Sequence, residues 1–366
     1  MRIAFVHFPG RIARLPAARG GDAPTEFLFG AVELERAGHE VEHYEVDPEA
    51  EISRPAARLL DANAGRGLLP PHLGGATLRG THTLLPELRR ADVVVATTTA
   101  TAIALAAWKR LRLFRGPLVG IVAGLLNDPW RPSRRIITLA LLRRMHVVLY
   151  GPGELGGLRA LDARLTDRVH ALPFGVDAEY WTPADVTPSG DVLAIGNDGH
   201  RDWETLLAAA PDIPARLRIL TRHERPAELP ENVTWEPADW HRRLLSDGEV
   251  RELYRRSAAV VVPVRDVPQP SGQSVTLQAM ACARPVVLSR TRGLWAPETL
   301  HAGENVLFAH PGDPGELAAA VRRLIEDPDR GAAIGRAARA TVTRDATVET
   351  YAERLLAVCR LAVERP

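Results

Sequence analysis

The chain has 366 residues, more than one domain of ordinary size, so two domains are expected. A hydrophobic fraction of 46% and a charged fraction of 25% are those of a soluble globular protein, and a formal net charge of +1 argues against a dedicated nucleic-acid binder. No stretch approaches the roughly 18 apolar residues of a membrane-spanning helix, and the two cysteines, Cys282 and Cys359, exclude a disulfide framework or a cysteine metal cluster.

The opening run Met1–His7 is too short, and too broken by Pro9 and Gly10, for a signal peptide, so a reducing cytoplasm is the expected location. Lys109 is the lone lysine beside 45 arginines. With abundant Ala, Gly and Pro, that bias is the mark of GC-rich bacterial coding and says nothing of a site.

Ile3–Val6 reads as a buried strand, followed by a Gly/Pro/Arg-rich loop ending in Gly20-Gly21. A helix is expected from about Thr25, with Phe27, Ala31 and Leu34 on one face and Gly38 as its stop. Val41, Tyr44 and Val46 mark a second strand; residues 51–90 carry no clear period. Val93–Ala96 is a buried strand, residues 101–114 a helix ended by Gly116-Pro117, and Leu118–Val122 and His146–Tyr150 two more strands. Strands alternating with helices predict a parallel sheet covered on both faces.

The pattern then repeats. Val192–Ile195, Arg216–Leu220, Asn232–Trp235 and Val260–Pro263 read as strands, with helices from about Trp203 and over Gln273–Cys282. Ser246-Asp-Gly-Glu249 is a capping box, and Asp313-Pro-Gly-Glu316 opens another helix with an N-cap, an N1 proline and an N3 acid. Clustered Pro and Gly over 174–191 mark the boundary. The expected division is residues 1–172, 173–345, and a final helix over 346–366 that packs back toward the first domain.

The stretch most charged with chemistry is Pro270-Ser-Gly-Gln-Ser-Val-Thr-Leu-Gln278, which reads as a polar loop opening a helix after a strand. A helix start exposes free amides and about +0.5 of a charge, so Ser271, Gly272, Gln273 and Ser274 could wrap a phosphate. Thr276 and Gln278 lie a turn deeper, within reach of ribose hydroxyls. The same residues also read as a plain N-cap on a packed helix.

This segment resembles the signature region of glycosyltransferase family 4, retaining enzymes of GT-B fold. Leu172-Pro-Phe-Gly-Val-Asp177, Gly303-Glu-Asn-Val-Leu307, Pro311-Gly-Asp-Pro314, and Gly20-Gly21 ahead of Ala37-Gly-His-Glu-Val41 resemble further motifs of that family in the correct order. The resemblance implies an α/β protein of two tandem doubly wound Rossmann-like domains. It also implies a nucleoside-diphosphate-sugar donor in the second domain, an acceptor (small molecule, glycan or lipid-linked) in the first, and no metal or resident cofactor. Arg201 matches the family's phosphate-binding lysine, while Asn197 replaces its arginine. Pro270 falls on the glutamate that holds the donor sugar, leaving Asp266 or Gln273 to substitute, and Gln278 falls on the glutamate that holds ribose. In the implied mechanism Arg201 and the 271–274 amides stabilise the leaving diphosphate, which helps deprotonate the attacking hydroxyl. Asp128 or Asn127 stands where the family has a catalytic-site pair. The base would pack near Arg222 and Trp240, and Gly20 and Gly21 would form an acceptor or phosphate loop.

Other readings remain open. A homologue that has lost turnover would explain Pro270, Gln278 and Asn197. Gly151-Pro-Gly-Glu-Leu-Gly156 fits the dinucleotide pattern G-x-G-x-x-G, although Pro152 removes an amide. Asp327-Pro-Asp329 imitates a metal pair but reads as a polar turn, and no histidine pattern has zinc spacing. Arg131–Arg144 alternates arginine with Ile and Leu, either for a peripheral membrane contact or as a helix packed on the sheet.

Overall fold

The computed structural model describes residues 1–47, 54–70, 72–127, 129–238 and 245–365. The chain divides into two units: unit 1 is Met1–Gly20, Phe27–Pro173 and Tyr351–Pro366, and unit 2 is Gly21–Glu26 and Phe174–Thr350.

Unit 1 is built on β1 (Arg2–His7), β2 (Glu40–Glu45), β3 (Val93–Ala96), β4 (Leu118–Ile121), β5 (His146–Leu149) and β6 (Val169–Ala171). They form one parallel sheet in the order β2-β1-β3-β4-β5-β6. Its helices are α1 (Leu15–Gly20), α2 (Ala31–Arg36), α3 (Arg54–Gly65), α4 (Gly75–Thr83), α5 (Leu85–Leu88), α6 (Thr99–Arg110), α7 (Pro132–Leu142) and α8 (Leu155–Leu161).

Strand side chains alternate between faces, and each face has its own core. Ala4, Val6, Val94 and Ala96 pack against α6 and α7, while Ile3, Phe5, Val93 and Val95 pack against α2 and the C-terminal segment from Tyr351 to Ala362. Burial on both faces is why β3 reads as an unbroken Val-Val-Val-Ala run.

Unit 2 repeats the plan with β7 (Val192–Ile195), β8 (Leu217–Thr221), β9 (Val233–Pro237), β10 (Ala259–Val262), β11 (Val286–Ser289) and β12 (Leu307–Ala309). The sheet is again parallel, in the order β12-β11-β10-β7-β8-β9. Helices α9 (Trp203–Ala209), α10 (Asp247–Arg256), α11 (Gln273–Ala281), α12 (Pro314–Glu326) and α13 (Pro328–Asp345) follow in chain order, and the last helix, α14 (Val348–Glu364), belongs to unit 1 from Tyr351 on. The expected caps form: Ser246 Oγ accepts from the Glu249 amide while the Glu249 carboxylate accepts from Ser246, and Asp313 accepts from the Glu316 amide.

Several elements differ from the sequence reading. The helix expected from Thr25 is interrupted, because Phe29 and Gly30 both take left-handed backbone (φ 58° and 80°), and α2 starts only at Ala31. Residues 12–20, expected as loop, hold a short 3-10 turn and α1. The helix expected to reach residue 114 stops at Arg110, since Arg112 turns left-handed (φ 63°). Asp327 is the N-cap of α13, accepting from the Arg330 amide, which accounts for the Asp-Pro-Asp sequence.

Candidate functional site

In a doubly wound sheet, ligands bind beyond the carboxyl ends of the strands where the strand order reverses. In unit 2 that point lies between β7 and β10, and the two loops leaving them carry residues 196–202 and 263–272. The loops are joined by backbone bonds from Asp202 N to Pro263 O (3.0 Å) and from Arg265 N to His200 O (2.9 Å).

Arg201 sits in this junction. Its side chain is 2% exposed, and its Nε lies 3.1 Å from Asp198 Oδ2, out of line for a hydrogen bond. Nε and Nη1 have no hydrogen-bond partner among the described residues. Two glycines make room for the guanidinium. A Cβ on Gly196 would stand 1.9 Å from Arg201 Nε, and one on Gly272 would stand 2.7 Å from Nη1 and 2.5 Å from Val262 Cγ1. Gly272 is also the left-handed N-cap residue of α11 (φ 78°).

A buried guanidinium therefore abuts the positive end of a helix. Like charges in a desolvated site are unfavourable unless an anion joins them. The hydroxyls of Ser271 and Thr276 are also buried without a partner among the described residues. Ser274 is half-buried in the first turn of α11, and Gln273 is buried and engaged. Arg201 thus lies against Gly272 at the start of α11, whose flanking and first-turn residues are Ser271, Gln273, Ser274 and Thr276.

The remaining sequence candidates are placed differently. Gln278 is buried, with Oε1 accepting from Tyr254 Oη (3.2 Å) and Nε2 donating to Glu26 Oε1 (3.0 Å). Glu26, only 1% exposed, also accepts from Trp181 Nε1 (2.7 Å) and the Asp177 amide (3.2 Å). Burial raises its carboxyl to about 7 against those stabilising bonds, with Asp177 adding to the rise. Both carboxylate oxygens of Asp266 are held by Arg292, through its amide (2.8 Å) and Nε (2.9 Å). Asn197 Oδ1 accepts from the Arg222 amide (2.7 Å) and Thr221 Oγ1 (3.3 Å) while Nδ2 donates to Ala238 O (2.9 Å). One side chain thereby ties the ends of β7, β8 and β9, and Arg222 is left exposed at the rim. Between β8, β9 and α10 lies a cavity of about 550 Å³ lined by Arg218, Leu220, Glu236, Pro237 and Leu253. Gly20 ends α1 and Gly21 is exposed with φ 81° and open space at its Cβ position. Asp128 and Trp240 lie outside the described residues.

The Gly151–Gly156 motif follows β5, away from the point where the order of the unit 1 sheet reverses, between β1 and β3. Its Glu154 carboxylate accepts from the Gly124 (2.9 Å) and Leu126 (2.8 Å) amides, a loop-fixing role. Among the described residues no group of three or more His, Cys, Asp or Glu side chains is arranged to hold a metal ion.

Sequence reasoning missed Glu26, Trp181 and Tyr254. His7, at the end of the first strand, reads from sequence as a capped loop histidine or one facing a cleft; in the structure its Nε2 lies 3.1 Å from His43 Nδ1, and His43 Nε2 lies 2.9 Å from Glu35 Oε1, two partners the sequence does not signal. Glu35 is in turn paired with Arg19 at 2.6 Å. His7 is fully buried, and burial foremost, with His43 and Arg11 nearby, lowers it to about 3.

Two Rossmann-like units, each a six-stranded parallel sheet with helices on both faces, define the α/β architecture of GT-B proteins. Residues 190–327, the stretch that holds Arg201 and the 271–274 loop, match the family model described as Glycosyl transferases group 1. The chain is 30% identical over 239 residues to alpha-maltose-1-phosphate synthase of Mycolicibacterium smegmatis, covering 56% of this chain and 59% of that protein. It spans 56–59% of the length of the curated relatives it matches. Among solved structures it resembles sucrose-phosphate synthase of Thermosynechococcus elongatus (TM-score 0.69, 18% identity, all of both chains). It also resembles Anabaena HepE in complex with UDP-glucose (TM-score 0.67, 17% identity, 98% of both chains).

Proposed function

We propose that the chain is a glycosyltransferase that moves a sugar, with retention of configuration and without a metal ion, from a nucleoside-diphosphate sugar to an acceptor hydroxyl. The observation that carries this reading is the Arg201 guanidinium, buried against the N-terminus of α11 with two nitrogens that make no hydrogen bond among the described residues. A diphosphate supplies the acceptors that Nε and Nη1 lack, beyond the one carboxylate, Asp198, already paired with the guanidinium. In the reaction the bond from the sugar's anomeric carbon to the diphosphate breaks, the acceptor oxygen takes its place, and the hydroxyl proton passes to the departing phosphate. Arg201 and the amides from Ser271 to Ser274 stabilise the charge that develops on that phosphate; preorganised donors of this kind are usually the largest catalytic term. Unit 2 is the donor-binding part and unit 1 supplies acceptor contacts. The match over 190–327 and the UDP-glucose complex of HepE support a nucleotide-sugar donor.

A second reading, a nucleotide-sugar-binding protein without turnover, is favoured by two observations. Gln278 already spends both polar atoms on Tyr254 and Glu26, and Pro270 has no side-chain donor or acceptor.

A thermal-shift panel of UDP, dTDP, GDP, ADP and NAD tests the site. A ligand at about 100 times its dissociation constant adds ~2.7 kcal/mol. A shift with one nucleoside diphosphate and not with NAD supports a diphosphate site at Arg201; a shift with NAD alone removes it. Release of that diphosphate from its sugar conjugates in the presence of acceptors then separates turnover from binding.

A further inference from the structure

The amino ends of β3, β4, β5 and β6 lie side by side along one edge of the unit 1 sheet, because these strands are neighbours and parallel. The chain entering each strand is basic: Arg89-Arg90-Ala-Asp92 before β3, Lys109-Arg-Leu-Arg-Leu-Phe-Arg115 before β4, Arg143-Arg144 before β5, and Asp162-Ala-Arg-Leu-Thr-Asp-Arg168 before β6. These segments hold ten cationic side chains and three acidic ones, in a chain whose whole formal charge is +1.

Contacts show that the segments meet. Arg89 Nη2 donates to Leu113 O (2.9 Å) and Lys109 Nζ to Gly116 O (2.9 Å). Burial, with Arg168 and Arg144 close by, lowers the Lys109 ammonium to about 8. Asp162 is spent on Arg143 and Arg164, and Asp92 accepts from the Arg2 amide. Arg89, Arg90, Arg110, Arg112, Arg115 and Arg144 are exposed.

Two large apolar side chains stand among these cations. Leu111 is 63% exposed and Leu113 44%, while Phe114 between them and the sheet is buried and anchors the loop. Arg112, between the leucines, takes left-handed backbone (φ 63°), a position that glycine occupies without strain. Strain held at an exposed tip points to use of the side chain there.

From this juxtaposition of exposed leucines and unopposed arginines on one sheet edge, we propose that the 109–116 loop and its basic neighbours dock unit 1 on an anionic lipid bilayer. Phosphate headgroups pair with the arginines, and Leu111 and Leu113 enter the acyl boundary. Soluble polyanions would use the arginines and leave the leucines idle. Ligands of a parallel α/β sheet bind at the carboxyl ends of the strands, so this edge is free for a surface that takes no part in the reaction. The proposal is independent of the proposed function and concerns a surface distinct from α7. There Leu139, Leu141 and Leu142 pack into the core, and Ile136 is the exposed apolar residue.

The test is co-sedimentation of the full chain with vesicles of phosphatidylcholine alone and with about 30 mol% phosphatidylglycerol, at about 0.1 M salt, where the screening length is ~10 Å. The expected result is binding to the anionic vesicles only. Arg112→Gly, which suits the backbone and leaves the melting temperature unlowered, should weaken partitioning about fivefold, the usual worth of one cation at such a surface. Leu111→Ser/Leu113→Ser should weaken it at least about tenfold. Equal binding to both vesicle types, or no binding to either, overturns the proposal. Unchanged binding of the double serine variant also overturns it, since attachment would then be to negative charge alone.

Discussion

Gln278 donates a hydrogen bond to Glu26 across 3.0 Å, although 252 positions separate them in the chain. This bond places the Gly21–Glu26 segment in unit 2, with Trp181 and the Asp177 amide on the same carboxylate.

The folded state raises the Glu26 carboxyl to about 7, above its ordinary range. An acid with a raised folded value holds its proton in the folded state after the unfolded chain has lost it. Stability contributed by this group is therefore fully present below about pH 4.5 and declines as pH rises to about 7, by up to ~3 kcal/mol. Glu26→Gln should flatten that slope in calorimetric melting curves of unit 2. An unchanged slope in the variant would assign the pH dependence to another group.

His7 carries the opposite sign. Glu35, ionised beside Arg19, can only accept, so His43 turns Nε2–H toward it and offers Nδ1 to His7, which donates through Nε2–H. His7 Nδ1 is left as a buried lone pair with no partner among the described residues. With its value lowered to about 3, this imidazole supports folding above about pH 6.5, and the support is lost as pH falls toward 3, by up to ~5 kcal/mol. Nitrogen-15 spectra at pH 7 should show both rings neutral and protonated at Nε2, and His43→Phe should shift the His7 signal.

Arg201→Met should weaken nucleoside-diphosphate binding by at least about tenfold, the scale of a lost charge-assisted bond, with little effect on nucleosides. The unliganded protein should lose under ~1 kcal/mol, because the desolvation cost of the buried guanidinium offsets most of what its pairing with Asp198 contributes. Titration calorimetry and melting curves read both. Equal losses for nucleoside and diphosphate would remove Arg201 from the phosphate cradle.

Gly196→Ala should harm both folding and binding, since its Cβ would overlap Arg201 Nε at 1.9 Å. Overpacking of this kind costs ~1–3 kcal/mol, or several degrees in the melting temperature of a unit this size. The double variant Gly196→Ala/Arg201→Met should recover most of the stability. Failure to recover would mean that the glycine serves something other than the guanidinium.

Local chemistry was legible in the sequence. The Ser246 and Asp313 caps, the Val93–Ala96 strand and the helix opening after Ser271-Gly272 each rest on neighbours within a few residues. Around Arg201 the sequence is half legible: it points to Arg201 and the 271–274 loop as candidates, but the two glycines that house the guanidinium act through space. The Phe29–Gly30 break was hidden because phenylalanine rarely turns left-handed, and strand β6, three residues long, carries too little apolar pattern to stand out. Glu26 gave no signal at all, since an acid ahead of Phe27 looks like an ordinary exposed carboxylate. Only its distant partners, Trp181 and Gln278, make it a core residue.

Asn197 stands where the family resemblance implies a cation, and in the structure it is a brace. By holding the Arg222 amide, the Thr221 hydroxyl and the Ala238 carbonyl at once, it fastens three strand ends to the loop that leads to Arg201. A rim fixed in this way has little freedom left to lose, so under the proposed function the ordering that association with a nucleotide requires is completed during folding.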